Sequence, residues 1–362
     1  MATIDYQAPA ARKRGWGSIS EFQLLGLVAV VAILVGILSI AGYYTARPGA
    51  ANVFLNPTNL TNDVAENMSY FAIMAVGLTC VIVTGGIDIS VAAVMAMSAL
   101  GGAWILPKLF APDAPGWEVI PVAIIVTVGI GLVCGLINGL LVVGLDMHPF
   151  IVTLGTLSIY RGIDIRIPPQ ATLPLSDLVI PRSFGEHFIK WRVVVGTARL
   201  TPVPLIVTLL VVLFGWFFLS KTVAGRETYA VGGNEEAARF SGLRTGLVKL
   251  RVYVISGMTA GVAGMVSLGY YQSASSNTAP GYELMVVAAA VVGGASLMGG
   301  RGSAVGALLG ALIIAMITDG ILLFADTRDQ LIIVGALIVV AVAIDGWMQK
   351  MRVHRMAAGK AI

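Results

Sequence analysis

Residues Lys221 to Arg251 read KTVAGRETYAVGGNEEAARFSGLRTGLVKLR, a polar stretch between apolar runs long enough to cross a bilayer. Lys221, Arg226, Arg239, Arg244, Lys249 and Arg251 face Glu227, Glu235 and Glu236 in it. Gly232 and Gly233 break the chain, and Asn234 can cap a helix that starts after it. Glu235, Glu236, Ala237, Ala238, Arg239 and Phe240 are good helix formers, and Gly242 stops them. The stretch therefore predicts a short, charged, capped helix on a loop between two spanning segments. A loop that only turns the chain round needs a few residues. This one is long and built, which points to a docking surface for another chain.

The rest of the chain explains what it would dock from. Of 362 residues, 57% are hydrophobic and 12% charged, where soluble chains carry about a quarter charged residues. That composition describes an all-α integral membrane protein. The 43 glycines suit helices that approach closely in lipid through small residues. A net charge of +4, spread over loops rather than set in a stripe, argues against nucleic acid. Cys80 and Cys134 lie inside apolar runs, and His148, His187 and His354 are scattered, so neither a disulfide framework nor a metal cluster is expected.

About ten spans can be drawn, near 22–42, 64–84, 90–106, 119–143, 149–163, 202–219, 250–272, 283–298, 303–323 and 329–346. The third, fifth and eighth are short and read as tilted, broken or re-entrant. The first follows Arg12, Lys13 and Arg14 and is too long for a signal peptide, so it reads as a retained helix. With a cytoplasmic N-terminus, Lys and Arg are more numerous inside than outside, as the positive-inside rule requires. Both termini and the opening stretch are then cytoplasmic. Residues 1–21 and 347–362 are tails around a membrane domain of residues 22–346. Within it, 220–249 is a cytoplasmic loop and 164–201 an outer loop, either a solvated cap or a surface for an extracytoplasmic partner.

Two turns carry paired glycines. Gly85-Gly86-Ile87-Asp88-Ile89-Ser90 joins the second and third spans, where Asp88 or Ser90 can cap the next helix near the cytoplasmic interface. Ser296 to Ser303 (SLMGGRGS) joins the eighth and ninth, with Arg301 as an anchor. The stretches Val81–Ser98 and Ala290–Gly310 echo one another weakly, as apolar low-complexity sequence does by chance.

Polar residues within or at the ends of the spans include Asn67, Asn138, Thr153, Thr156, Asp164, Tyr270, Tyr271, Gln272, Glu283, Thr318 and Asp319. Such groups must be paired or face a wet cavity. Pathway or gate candidates are Asp88, Ser90, Asn67, Asn138, Thr153, Tyr270, Tyr282 and Glu283. Amides, hydroxyls and tyrosines suit a neutral polyhydroxylated solute better than an ion, and mid-span carboxylates are nearly missing, which argues against a proton-driven carrier. There is no phosphate-binding G-x-x-x-x-G-K-[ST], no G-x-S-x-G and no H-E-x-x-H. The chain does not read as an enzyme, and active transport would draw its energy from another chain.

Three stretches give the chain its resemblance to known permeases. They are Ala75-Val76-Gly77-Leu78-Thr79 leading to GGIDISV, Ala230 to Gly242, and Gly281-Tyr282-Glu283-Leu284 leading to VVGGASLMGGRG. In this order and spacing they resemble the permease subunits of bacterial ABC importers for monosaccharides of the ribose, xylose, arabinose and galactose type, over about residues 64–345. The resemblance implies an inner-membrane, multi-pass subunit paired with a second permease copy or a paralogue. A periplasmic sugar-binding protein would feed it, and an ATP-binding cassette subunit holding ATP and Mg would drive it, so this chain needs no cofactor of its own. Gly232, Gly233, Asn234, Glu235, Glu236, Ala237, Ala238, Arg239 and Gly242 fall in the expected coupling segment. The resemblance also implies weak substrate binding within the permease. Ala92, Met285 and Tyr270 depart from the family pattern, where Gly, Asp and Arg are usual, and the loop 164–201 is unlike the ribose-type loop. These differences leave the particular sugar, polyol or cyclitol open. Other readings are a branched-chain amino-acid or nucleoside permease of the same machine, and a self-contained secondary carrier.

Overall fold

The computed structural model describes residues 21–45, 52–166, 172–175, 178–195, 198–324 and 326–329, with scattered positions to 343. The expected tenth span, 329–346, and both tails lie largely outside the described residues.

The elements are α1 (Glu21–Thr45), α2 (Ala65–Val83, entered through a wide helical turn at Asn59–Val64), α3 (Val91–Leu109), α4 (Gly116–Gly144) and α5 (Pro149–Arg166). Next come β1 (Thr172–Leu173), the short α6 (Arg182–Phe184), β2 (Val193–Val195) and β3 (Ala198–Leu200). They are followed by α7 (Pro202–Lys221), α8 (Val223–Gly233), α9 (Glu235–Phe240), α10 (Thr245–Tyr271), β4 (Ala274–Ser275), α11 (Tyr282–Val292) and α12 (Ala304–Phe324). Among the described residues, seven helices are long and apolar enough to cross a membrane, and α11 is a shorter apolar helix. Of the spans expected to be short, the eighth is α11, which stops at 11 residues, whereas the third extends through Lys108 to Leu109 as the 19-residue α3 and counts among the seven. α5 reaches 18 residues but is too polar to count among the seven.

α2 is the axis of the bundle. From Met68 to Val83 every side chain is buried, against α7, α10, α11 and α12. A helix apolar all round belongs in the interior of a bundle. α1, by contrast, exposes Leu25, Ile33, Ile37 and Ile40, as a peripheral helix facing lipid would.

α4 crosses α10 at close range, and glycine makes it possible. Gly131 and Gly135 face Gly257 and Gly261 so tightly that a Cβ at Gly257 would lie 2.7 Å from the Gly135 Cα, and one at Gly261 would lie 2.6 Å from the Thr127 carbonyl oxygen. Small residues four apart on both helices let the backbones meet, the packing expected in lipid.

Between α5 and α7 the described residues make short strand pairs and a small apolar cluster. β1 pairs antiparallel with β4, and β2 with β3. Ile180, Phe184 and Ile189 are buried, and Ile189 packs on Gly269 near the end of α10. These short pairs add a little strand to the expected all-α architecture. They form because the chain returns over the helix ends, where backbone groups must find partners.

Candidate functional site

The opening stretch folds into two helices. Thr222 starts α8 by accepting the Gly225 N–H on its side-chain oxygen at 2.9 Å. Gly232 and Gly233, expected to break the chain, instead complete the last turn of α8. The break falls at Asn234, whose backbone is extended. Its Oδ1 accepts the Ala237 N–H at 2.9 Å and so opens α9. Gly242, at φ +85°, ends it. Lys249 Nζ meets Glu235 Oε1 at 2.6 Å, and Arg251 Nη1 meets Glu227 Oε2 at 3.0 Å. These pairs, with the buried Val231, Ala238 and Val248, clamp α8 and α9 onto α10. Glu236, Ala237, Arg239 and Phe240 face outward, and Phe240 is 82% exposed.

The inner side of α8 rests on both Gly-Gly turns. Gly232 lies against the Val83 carbonyl oxygen, and a Cβ there would also sit 2.7 Å from the Gly300 nitrogen. Gly300 donates its N–H to the Val83 carbonyl at 2.8 Å. Tyr229 Oη donates to the Gly302 carbonyl at 2.7 Å, and burial pushes that hydroxyl well above the usual tyrosine range. The two echoing turns are therefore in contact with each other and with the end of α8.

Asp88 is the hub of a second cluster. It is 1% exposed, enclosed by protein. Its Oδ1 accepts the Ser90 N–H at 3.0 Å and the Ser90 hydroxyl at 2.7 Å, and its Oδ2 accepts the Ser256 hydroxyl of α10 at 2.9 Å. Asn138 Nδ2 of α4 donates to Ser90 Oγ at 2.7 Å, and Tyr160 Oη of α5 donates to Asn138 Oδ1 at 3.2 Å. Thr153 of α5 takes the Ile89 N–H at 3.3 Å and donates to the Ile87 carbonyl at 3.1 Å. No side chain caps α3. Asp88 closes a local turn and ties it to three helices.

A third group lines a cleft of about 360 Å³ towards the other end of the bundle. Its walls include Tyr70, Tyr271, Tyr282, Ser267, Ser275 and Thr278, and among the described residues no lining side chain is charged. Tyr70 Oη donates to Glu66 Oε1 at 2.6 Å. Tyr271 stacks obliquely on Tyr70 with centroids 6.3 Å apart, and Tyr270 meets Tyr271 edge-on at 5.4 Å. Lys190 reaches the Tyr270 ring at 5.1 Å. Tyr282 packs edge-on against Phe71.

The sequence that builds this structure matches a known family. Residues 60–342 match the family model described as "Branched-chain amino acid transport system / permease component". The chain belongs to this permease family. It is 33% identical to the D-allose transport system permease protein of Escherichia coli, over 96% of this chain and 99% of that one. It is 37% identical to a ribose import permease protein of Bacillus subtilis, over 89% and 92%. It is 35% identical to the galactose/methyl galactoside import permease protein of Escherichia coli, over 81% and 87%. No solved structure matches the sequence.

In this permease the sequence candidates fall into separate places. Asp88, Ser90, Asn138 and Thr153 come together, and Tyr282 lines the cleft with Tyr270 beside it. Asn67 bonds back to the Asp63 carbonyl at 3.0 Å and stays out of both groups. Glu283 is half-buried at the start of α11, with Oε2 making no hydrogen bond. Glu66, Tyr70, Ser256, Tyr160 and Tyr229 carry no site role in the sequence reading, and Phe240 lies within the expected coupling stretch without being singled out. Glu66 and Tyr70 had one readable signal, their i, i+4 spacing on a helix. Ser256 and Tyr160 had none, because their partners are far away in sequence.

Proposed function

We propose that the chain forms the translocation pathway of an ATP-driven, binding-protein-dependent importer for a monosaccharide or related polyol. The observation that carries this reading is the seating of Gly232 on Val83 and Gly300. A surface helix pair with an outward Phe and Glu is joined backbone to backbone with the turns that end α2 and precede α12. A push on α9 from an ATP-binding cassette subunit is delivered directly to two helix pairs of the bundle. ATP and Mg belong to that partner and not to this chain. A second permease copy or a paralogue completes the pathway, a periplasmic binding protein delivers the solute, and α8–α9 lie on the cytoplasmic side. The termini are cytoplasmic as well.

The sugar class rests on the relatives and on the cleft. Hydroxyls and aromatic faces without a charged lining side chain suit a neutral polyol. A free amino acid would bring a carboxylate and an ammonium, each needing a charged or strongly polar partner.

The test is uptake of radiolabelled D-ribose, D-allose, D-galactose and leucine into proteoliposomes holding this chain with its ATP-binding subunit and binding protein. ATP-dependent uptake of a sugar is expected. Uptake of leucine instead, or sugar uptake by the chain alone without ATP, would overturn the reading.

A further inference from the structure

The cleft wall facing β1 is the link between α10 and α11, and it is held from outside by α5. Gln272 and Gly281 bound this link in left-handed conformations, at φ 54° and 76°. Between them the chain makes a tight turn: Ser275 N–H donates to Thr278 Oγ1 at 2.9 Å, and Thr278 N–H donates to the Ser275 carbonyl at 3.0 Å. The turn itself uses neither the Thr278 carbonyl nor the Ala279 carbonyl, the second of which takes the Tyr282 N–H at 3.4 Å. Arg161 of α5 takes both, through Nη1 at 2.7 Å and Nη2 at 2.9 Å. A guanidinium suits this task because its fork presents two N–H groups at a fixed spacing. Ser275, Thr278 and Ala279 are cleft-lining residues, so Arg161 sets the position of the wall without touching the solute that passes through.

The same helix grips the Asp88 turn at its other end. Thr153 bonds the backbone of Ile87 and Ile89, and it lies eight residues before Arg161, about 12 Å along a helix. The Asp88 turn in turn comes after Val83, on which Gly232 is seated. α5 thus spans from the turn that receives α8 to the wall of the cleft.

We infer that Arg161 is a positioning residue that couples the Asp88 turn to the cleft wall, α5 acting as the rod between them. This rests on the importer reading above, and the experiment separates the two.

The assembled complex in proteoliposomes is compared as wild type, Arg161→Lys and Arg161→Ala. Sugar uptake, ATP hydrolysis stimulated by the loaded binding protein, and amide hydrogen exchange of residues 275–281 are all measured. Arg161→Ala should lower sugar moved per ATP about tenfold, with stimulated hydrolysis within about twofold of wild type and faster exchange confined to 275–281. Arg161→Lys, which keeps the charge but loses the fork, should recover part of that ratio. An unchanged ratio with unchanged exchange would overturn the inference. So would a parallel fall of uptake and hydrolysis in both variants, since that is the mark of a purely structural residue. If wild type shows no ATP-dependent sugar uptake, the importer reading fails by itself. The exchange data then still decide whether Arg161 holds the wall: faster exchange confined to 275–281 supports it, and unchanged exchange overturns it.

Discussion

Gly300 donates its backbone N–H to the Val83 carbonyl at 2.8 Å, and Gly232 rests on that same carbonyl. One oxygen is thus the meeting point of the end of α2, the turn before α12 and the end of α8. Side chains are excluded there, so any displacement of α8 is passed on by backbone contact rather than absorbed by rotamer changes.

Gly232→Ala should therefore be far more harmful than Gly233→Ala. A methyl at 232 has backbone on two sides, whereas one at 233 meets nothing within 4 Å. Overpacking of this kind costs about 1–3 kcal/mol. Thermal unfolding of the two variants in detergent should show a lower Tm for the first alone, with loss of ATP-dependent uptake in the same variant. Equal Tm values for both would contradict the close seating of α8.

Phe240→Ala should weaken binding of the ATP-binding subunit without unfolding this chain. The ring is 82% exposed and contributes little to the fold, and a buried aromatic anchor at an interface is commonly worth about 2 kcal/mol or more. Roughly a 30-fold loss of affinity in a detergent binding assay is expected.

The double change Glu235→Arg with Glu236→Arg should uncouple ATP hydrolysis from uptake while the chain still inserts. The two positions are not equivalent. Glu236 is exposed, while Glu235 is paired with Lys249 at 2.6 Å. Such a partly exposed pair contributes at most about 1 kcal/mol. Glu236→Arg alone should give most of the uncoupling with no change in Tm, and uptake equal to wild type in the double variant would remove the coupling role.

Asp88→Ala leaves the Ser90 N–H and two serine hydroxyls without their acceptor inside the bundle. Unmet buried donors cost about 1–3 kcal/mol each, so the variant should be among the least stable of a scan of this turn. Asp88→Asn keeps one acceptor oxygen and should fall between it and wild type. Thermal melts in one detergent give the order directly.

Much of this is legible in the sequence because it depends on local chemistry. The cap at Asn234, the stop at Gly242 and the helix between them come from residue type and neighbours alone. Close glycine crossings are readable as a composition, though not as the pairing of Gly131 and Gly135 with Gly257 and Gly261, which needs the fold. Gly232 is an instructive exception. Its glycine is required by the carbonyl of Val83 pressing on it, a contact 149 positions away in the chain, rather than by a chain break. The burial of Asp88 is hidden in the sequence for a related reason. Its turn looks like a simple reversal between spans until Ser256 and the Ser90–Asn138 pair close over it. The small strands at the cap are not readable, since β1 and β4 are two residues each and lie about a hundred positions apart.

The most direct test of the central claim is purification of the tagged chain from native membranes in mild detergent, with mass spectrometry of the proteins that accompany it. The importer account predicts that an ATP-binding cassette subunit comes with the wild-type chain and is reduced or lost with Phe240→Ala. Recovery of the chain without such a subunit, under conditions that keep known membrane complexes together, would contradict it and leave a self-contained carrier as the better reading.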